Sequence, residues 1–93
     1  MPERHTVTAT IVNRLGLHAR PAMEFVDTAA RFSSEISVRR ADGKGDDVDA
    51  KSIMQMMLLA ATQGTDLEIS AHGDDADDAC RVLKALVDSG FGE

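Results

Sequence analysis

The segment Gly16-Leu17-His18-Ala19-Arg20-Pro21-Ala22 places a histidine and an arginine two positions apart, beside a proline. A neutral imidazole is a competent nucleophile near neutral pH. A guanidinium offers a planar, permanently charged fork that fits phosphate oxygens. His18 is therefore a candidate to take a phosphoryl group, and Arg20 is a candidate to stabilise it.

A helix is predicted to begin in this segment. From His5 to Val12, apolar residues alternate with threonines, which is the period of a half-buried strand. After Pro21 the apolar residues recur at helical spacing, and proline is tolerated in a first helical turn. His18 is thus expected at or next to the N-cap.

Backbone groups at such a helix start can also hold a phosphate. The first N–H groups, near Ala19 and Arg20, have no partner inside the helix, and the helix dipole adds partial positive charge there. The competing interpretation is that His18 is only a polar cap or a surface residue. The other two histidines and the one cysteine match no metal-ligand spacing, so neither a metal nor a cofactor is expected.

Two segments, Gly16–Ala22 and Ala50-Lys51-Ser52-Ile53-Met54, resemble the signature segments of the HPr family. These proteins are the histidine-containing phosphocarriers of the bacterial phosphoenolpyruvate-dependent phosphotransferase system. The resemblance covers essentially all of the chain, as far as Ser89-Gly90-Phe91-Gly92.

The resemblance implies roles for particular residues. Enzyme I phosphorylates His18 through a ring nitrogen, Arg20 assists, and the group passes on to a histidine of an EIIA-type protein. Ser52 corresponds to the regulatory site of an HPr kinase/phosphorylase in the lineages that have one. The carrier needs no cofactor and is not itself an enzyme in the usual sense.

Other functions stay open on the sequence alone. Asn13-Arg14-Leu15-Gly16, Met23 and the terminal Ser-Gly-Phe look closer to the nitrogen-branch paralogue, whereas Ala50–Met54 looks closer to sugar-system HPr. A regulatory module that binds partners according to its phosphorylation state is the main alternative. A small hydrolase with His18 as a base is a weaker one, since no nucleophile or orienting carboxylate lies nearby in the sequence.

Composition suits a small carrier. The 93 residues are expected to form a single domain, 1–93, which acts as a monomer. The net charge of −6 argues against nucleic-acid binding and against attraction to anionic membranes. No signal peptide or membrane-spanning segment is evident, and Cys80 has no partner for an internal disulfide, so a cytoplasmic location is expected.

The predicted fold is α+β, with element order βαββαβα. Four strands are expected to form an antiparallel sheet whose one apolar face is covered by three helices, an open-faced sandwich. This is also the fold that the resemblance to HPr implies. Asp74, Asp75, Asp77 and Asp78 are expected to open the last helix.

The middle helix carries two further predictions. Ser52 and Gln55 form a capping-box sequence, in which Gln55 reaches back to the helix start, so Ser52 needs no role beyond the cap. After Ser52 the helix has apolar residues nearly all around it. A helix that covers one side of a sheet cannot bury all of its own surface, so some of these residues must be exposed. The outward residues, Ile53, Met54 and Met57, are expected to dock partner proteins beside His18, although methionines also fill gaps in cores.

Overall fold

The computed structural model describes residues 3–93, which contain four strands and three α-helices. In chain order these are β1 (Glu3–Thr10), α1 (Ala19–Ala29), β2 (Glu35–Arg40), β3 (Val48–Asp49), α2 (Ile53–Leu58), β4 (Asp66–Gly73) and α3 (Ala76–Asp88). A short 3-10 turn, Gly90–Gly92, follows α3. The predicted order βαββαβα is confirmed.

The strands form one antiparallel sheet in the order β1-β4-β2-β3. Ile69 in β4 lies between Val7 of β1 and Val38 of β2, so apolar side chains line up across one face. The opposite face is polar and carries cross-strand pairs such as Arg39 with Glu68, at 3.0 Å. Period-2 alternation therefore divides the sheet into a core face and a solvent face.

All three helices pack on the apolar face. Phe25 of α1, Met56 of α2 and Leu83 of α3 are each fully buried in the same cluster as the inward residues of the strands. Cys80 of α3 is buried in this core as a free thiol. The predicted open-faced sandwich is confirmed. None of the helices in the described part of the chain has the length and apolarity that a bilayer span requires.

The first strand ends two residues before the predicted limit at Val12. Ile11 is fully buried, as the alternation predicts, but its N–H donates to the carbonyl of Thr65 at 2.9 Å and its own carbonyl accepts from Gly64 at 2.7 Å. Both partners precede β4, so the chain leaves the regular ladder at Thr10.

The start of α3 also differs from the expectation. Asp75 occupies the N-cap position, but its side chain does not cap the helix. Asp77 and Asp78 lie in the first turn as predicted, where their charge complements the helix dipole. The carboxylate of Asp75 instead accepts hydrogen bonds from the backbone of Ser33 and Ser34.

Candidate functional site

His18 is the N-cap residue of α1, as the sequence predicts, with an extended backbone at φ −77° and ψ −175°. The N–H of Ala22 donates to its carbonyl at 3.0 Å and closes the first helical turn. Pro21 has no N–H, so the unpaired amides of this first turn are those of Ala19 and Arg20. The sequence predicts that these two backbone N–H groups, of Ala19 and Arg20, bind phosphate.

A close packing contact positions the segment before His18. The N–H of Leu17 donates to the carbonyl of Ala61 at 2.9 Å, which attaches this segment to the chain just beyond α2. Gly16 has φ +67°, and a Cβ atom there would lie 2.5 Å from the Ala61 oxygen. Only glycine fits both the left-handed backbone and this close approach.

The two nitrogens of the His18 ring have different surroundings. Nε2 lies 3.0 Å from Oε2 of Glu93 and 3.3 Å from Oε1. No group in residues 3–93 forms a hydrogen bond with Nδ1. The side chain is 35% exposed, so the ring is accessible from solvent while one of its nitrogens is held.

Arg20 is exposed, and within the described chain its guanidinium has neither an ion pair nor a hydrogen bond. Arg39, Arg40 and Arg81 differ, since each is paired with a carboxylate. The guanidinium of Arg20 can therefore engage an incoming anion without breaking a contact of the fold.

Sequence reasoning missed two residues of this site, Asn13 and Glu93. The Asn13 amide nitrogen donates to the carbonyl of Gly16 at 2.7 Å and to Oε1 of Glu93 at 3.1 Å. Glu93 lies 75 positions from His18, and a glutamate next to one glycine carries no pattern from which such a contact is predictable.

Ser52 is the N-cap of α2, and its hydroxyl accepts from the N–H of Gln55 at 3.3 Å. The predicted cap is confirmed, but the second half of the capping box is wrong. The side-chain oxygen of Gln55 accepts from the N–H of Asp49 at 2.9 Å, because the Ser52 N–H already donates to the Asp49 carbonyl. Ser52 itself is half-buried.

Contacts at both ends fix the position of α2. Lys51 donates to the carbonyl of Phe32 at 2.7 Å, and Arg40 donates to the carbonyls of Leu59 and Ala60, both at 3.2 Å. The same guanidinium lowers the pKa of the Asp42 carboxyl through a side-chain hydrogen bond. These contacts join the residues that flank α2 to β2 and to the segment that follows α1.

The outward face of α2 is apolar and exposed. Ile53, Met54 and Met57 all point to solvent, with Met54 79% exposed, whereas Met56 is fully buried. Leu58, which is not among the predicted docking residues, lies one helical turn after Met54 and is 76% exposed. Three more exposed apolar side chains flank the histidine segment: Val12, Leu15 and Met23.

The described residues contain no cluster of three or more histidine, cysteine, aspartate or glutamate side chains that could hold a metal ion. Within the described residues, the site around His18 offers Nδ1 of the imidazole without a hydrogen bond, two unpaired backbone amides and the unpaired guanidinium of Arg20. All three features suit a phosphoryl group.

Comparison with known families gives one match over most of the chain. The family model described as the PTS HPr component phosphorylation site matches residues 5–89. The chain is similar to phosphocarrier protein HPr of Neisseria meningitidis serogroup A, with 45% identity over 83 residues that cover 89% of this chain and 90% of that protein. It is also similar to phosphocarrier protein HPr of Pseudomonas putida, with 44% identity over 93 residues, covering 100% and 98% of the two chains.

A solved structure agrees with this match. HPr-C-His from Thermoanaerobacter tengcongensis superposes with a TM-score of 0.87 and 47% sequence identity. The alignment covers 96% of this chain and 97% of that one. Sequence and fold therefore point to the same family.

Proposed function

The chain belongs to the HPr family of phosphocarriers of the phosphotransferase system, and on that premise we propose that Nδ1 of His18 accepts a phosphoryl group from phosphorylated enzyme I and passes it to an EIIA-type protein. One observation carries this assignment to His18. Its Nε2 is held by Glu93 while its Nδ1 is open, at the start of a helix with two unpaired amides. In this proposal residues 1–93 act as one phosphocarrier domain.

The transfer needs little covalent chemistry from the carrier. The lone pair of Nδ1 attacks phosphorus, the bond between phosphorus and the donor breaks, and that electron pair stays with the donor. The proton on Nε2 remains in place, so no external base is required. Transfer to the acceptor reverses these steps. Catalysis then consists of positioning and charge stabilisation, because the phosphoryl transition state is loose.

Arg20 and the amides of Ala19 and Arg20 stabilise the transferring group. The helix start offers N–H donors and partial positive charge, and the unpaired guanidinium adds a charge-assisted contact. The whole chain carries a net charge of −6, so Arg20 places a positive charge beside His18 on a protein that is negative overall.

The exposed apolar face of α2 serves as the docking surface for enzyme I and for the acceptors. Ile53, Met54 and Met57 belong to it, and the structure adds Leu58 from the same helix. Flexible methionines suit a surface that meets several partners in turn. Ser52, at the start of the same helix, is the site at which a regulatory kinase would add charge to this surface.

The measurement of intact mass tests phosphoryl acceptance. Incubation with phosphoenolpyruvate and the cognate enzyme I should add one phosphoryl group that is labile in acid and stable in alkali, as a phosphoramidate is. His18→Ala should gain none. A mass increase that persists in His18→Ala would overturn the assignment.

A further inference from the structure

The methionines of this protein divide between the surface and the core. Residues 3–93 contain four of them, and three are exposed: Met54 by 79%, Met23 by 56% and Met57 by 43%. The fourth, Met56, is fully buried in the core. A small reagent in solution can therefore reach three of these thioethers and not the fourth.

The exposed thioethers lie close to the candidate site. Met54 and Met57 are three positions apart in α2, so their side chains lie on the same face of the helix. Leu58, one helical turn after Met54, extends this apolar patch. Met23 belongs to α1, which packs against α2 and begins next to His18. The two exposed sulfur atoms of α2 therefore belong to the surface to which enzyme I is proposed to bind.

Hydrogen peroxide oxidises a thioether by transfer of one oxygen atom. The sulfur lone pair attacks a peroxide oxygen, the O–O bond breaks, and the other oxygen leaves as water with both protons. Sulfur loses two electrons and the peroxide gains them. The product, methionine sulfoxide, is polar and accepts hydrogen bonds at its new oxygen. A methionine sulfoxide reductase reverses the change at the expense of thiols, so the modification is reversible.

The remaining sulfur groups of the described chain are protected by burial. Cys80 lies in the core, and burial raises the pKa of its thiol, so little of the thiolate that peroxide attacks is present. Met56 is enclosed in the same core. Oxidation is therefore directed to the exposed methionines, where a sulfoxide leaves the packing of the core intact.

We propose that Met54 and Met57 form a redox-sensitive modification site, at which oxidation to methionine sulfoxide weakens the docking of enzyme I and enzymatic reduction restores it. This role rests on the proposed function of α2. Docking removes the two side chains from water, and a sulfoxide oxygen buried there without a donor loses its hydrogen bonds to water. The His18 ring is unchanged by the modification, so the penalty falls on binding and not on transfer within the complex.

Transfer kinetics before and after oxidation test the proposal. Peptide mapping by mass spectrometry after treatment with hydrogen peroxide should show one added oxygen atom on each of Met54 and Met57 and none on Met56. KM for phosphorylated enzyme I should then rise about tenfold, with kcat changed by less than about twofold. Methionine sulfoxide reductase should return KM to its starting value. Urea unfolding of the oxidised protein should match that of the untreated protein, because the modified side chains are exposed.

Leucine substitutions separate oxidation from loss of apolar contact. The double variant Met54→Leu, Met57→Leu keeps apolar side chains of similar volume and removes both thioethers of the site. Its KM should be close to that of the wild type and should not respond to peroxide. Met23→Leu is the matched control, since it removes an exposed thioether that lies outside α2. Its KM should rise after peroxide treatment as much as that of the wild type.

An unchanged KM after both Met54 and Met57 are oxidised would overturn the proposal. So would a rise in KM of the peroxide-treated double variant equal to that of the wild type, or oxidation of Met56 while the exposed pair stays unmodified. These outcomes all require an untreated wild type that accepts a phosphoryl group from enzyme I. If the untreated wild type accepts none, the proposed function itself is overturned, and this inference falls with it.

Discussion

The carboxylate of Asp75 accepts the backbone N–H of Ser34 at 2.9 Å, and its other oxygen accepts the N–H of Ser33 at 2.8 Å. Both serine hydroxyls donate to it as well. This contact joins the segment between α1 and β2 to the beginning of α3. The hydrogen bond from the Ser34 hydroxyl is the largest of the causes that lower the pKa of Asp75 from 3.8 to about 2.

The first prediction concerns acid stability. The folded-state pKa of Asp75 lies below its unfolded value, so its contribution to stability is present above pH 3.8 and is lost as the pH falls towards about 2. Asp75→Asn should lower the free energy of unfolding at pH 7, and its deficit relative to wild type should shrink across that acid window. Urea unfolding at a series of pH values measures the difference. A deficit that does not depend on pH would show that the charge of Asp75 is irrelevant.

The second prediction concerns the turn before His18. Gly16→Ala should reduce the free energy of unfolding by about 2–5 kcal/mol, because alanine at φ +67° costs about 1–2 kcal/mol and the overlap of its Cβ atom with the backbone of Ala61 and Thr62 costs about 1–3 kcal/mol more. Gly43→Ala is the control, since Gly43 also has positive φ, at +78°, but open space around its Cα. Its free energy of unfolding should fall only by the cost of placing alanine in a left-handed backbone conformation, about 1–2 kcal/mol. Equal losses in the two variants would mean that the contact with Ala61 is unimportant.

The third prediction separates rate from stability at Arg20. Arg20→Ala should slow phosphoryl transfer at least about tenfold, the effect of losing one charge-assisted contact of about 1.4 kcal/mol. Its free energy of unfolding should stay within about 0.5 kcal/mol of wild type, because the side chain is exposed and unpaired in the described structure. Arg31→Ala removes the same charge just beyond the other end of α1 and should leave the rate unchanged. If Arg20→Ala lowered the free energy of unfolding as much as it slowed phosphoryl transfer, Arg20 would be shown to have a structural role.

The fourth prediction tests the apolar face of α2. Met54→Ala should raise KM for phosphorylated enzyme I by an amount equivalent to about 1–3 kcal/mol if Met54 is a hot spot, with little change in kcat. The fold should be unaffected, since the side chain is 79% exposed. Thr8→Ala, on the uncovered face of the sheet, is the control and should behave as wild type. An unchanged KM in Met54→Ala would place docking elsewhere.

Local patterns predicted the order of the strands and helices along the chain and the start of α1, but not the order of the strands in the sheet. The change from period 2 to period 3.6 around Pro21 placed His18 at or next to the N-cap, and apolar residues nearly all around α2 indicated that some methionines must stay exposed. These predictions depend only on neighbours in the sequence, and they are confirmed.

Contacts between distant segments were not predictable in the same way. Glu93 meets His18, and Asp75 meets Ser34, only because the sheet order β1-β4-β2-β3 and the packing of α3 bring their segments together. Its neighbours in the sequence predict that Asp75 lies at the start of α3. Nothing in the sequence shows that its carboxylate accepts hydrogen bonds from Ser33 and Ser34. The capping box failed at Gln55 for a local reason, since the Ser52 N–H donates to the Asp49 carbonyl and the side chain of Gln55 accepts from the Asp49 N–H instead.

His18 is proposed to carry a phosphoryl group from one protein to another, and a radiolabel chase follows that group from donor to acceptor. The protein is labelled from phosphoenolpyruvate through enzyme I, isolated, and mixed with a sugar-specific or a nitrogen-type EIIA protein. We expect the label to leave His18 and to appear on a histidine of at least one acceptor, with His18→Ala never labelled. Label that is released only as inorganic phosphate, with none on either acceptor, would contradict it.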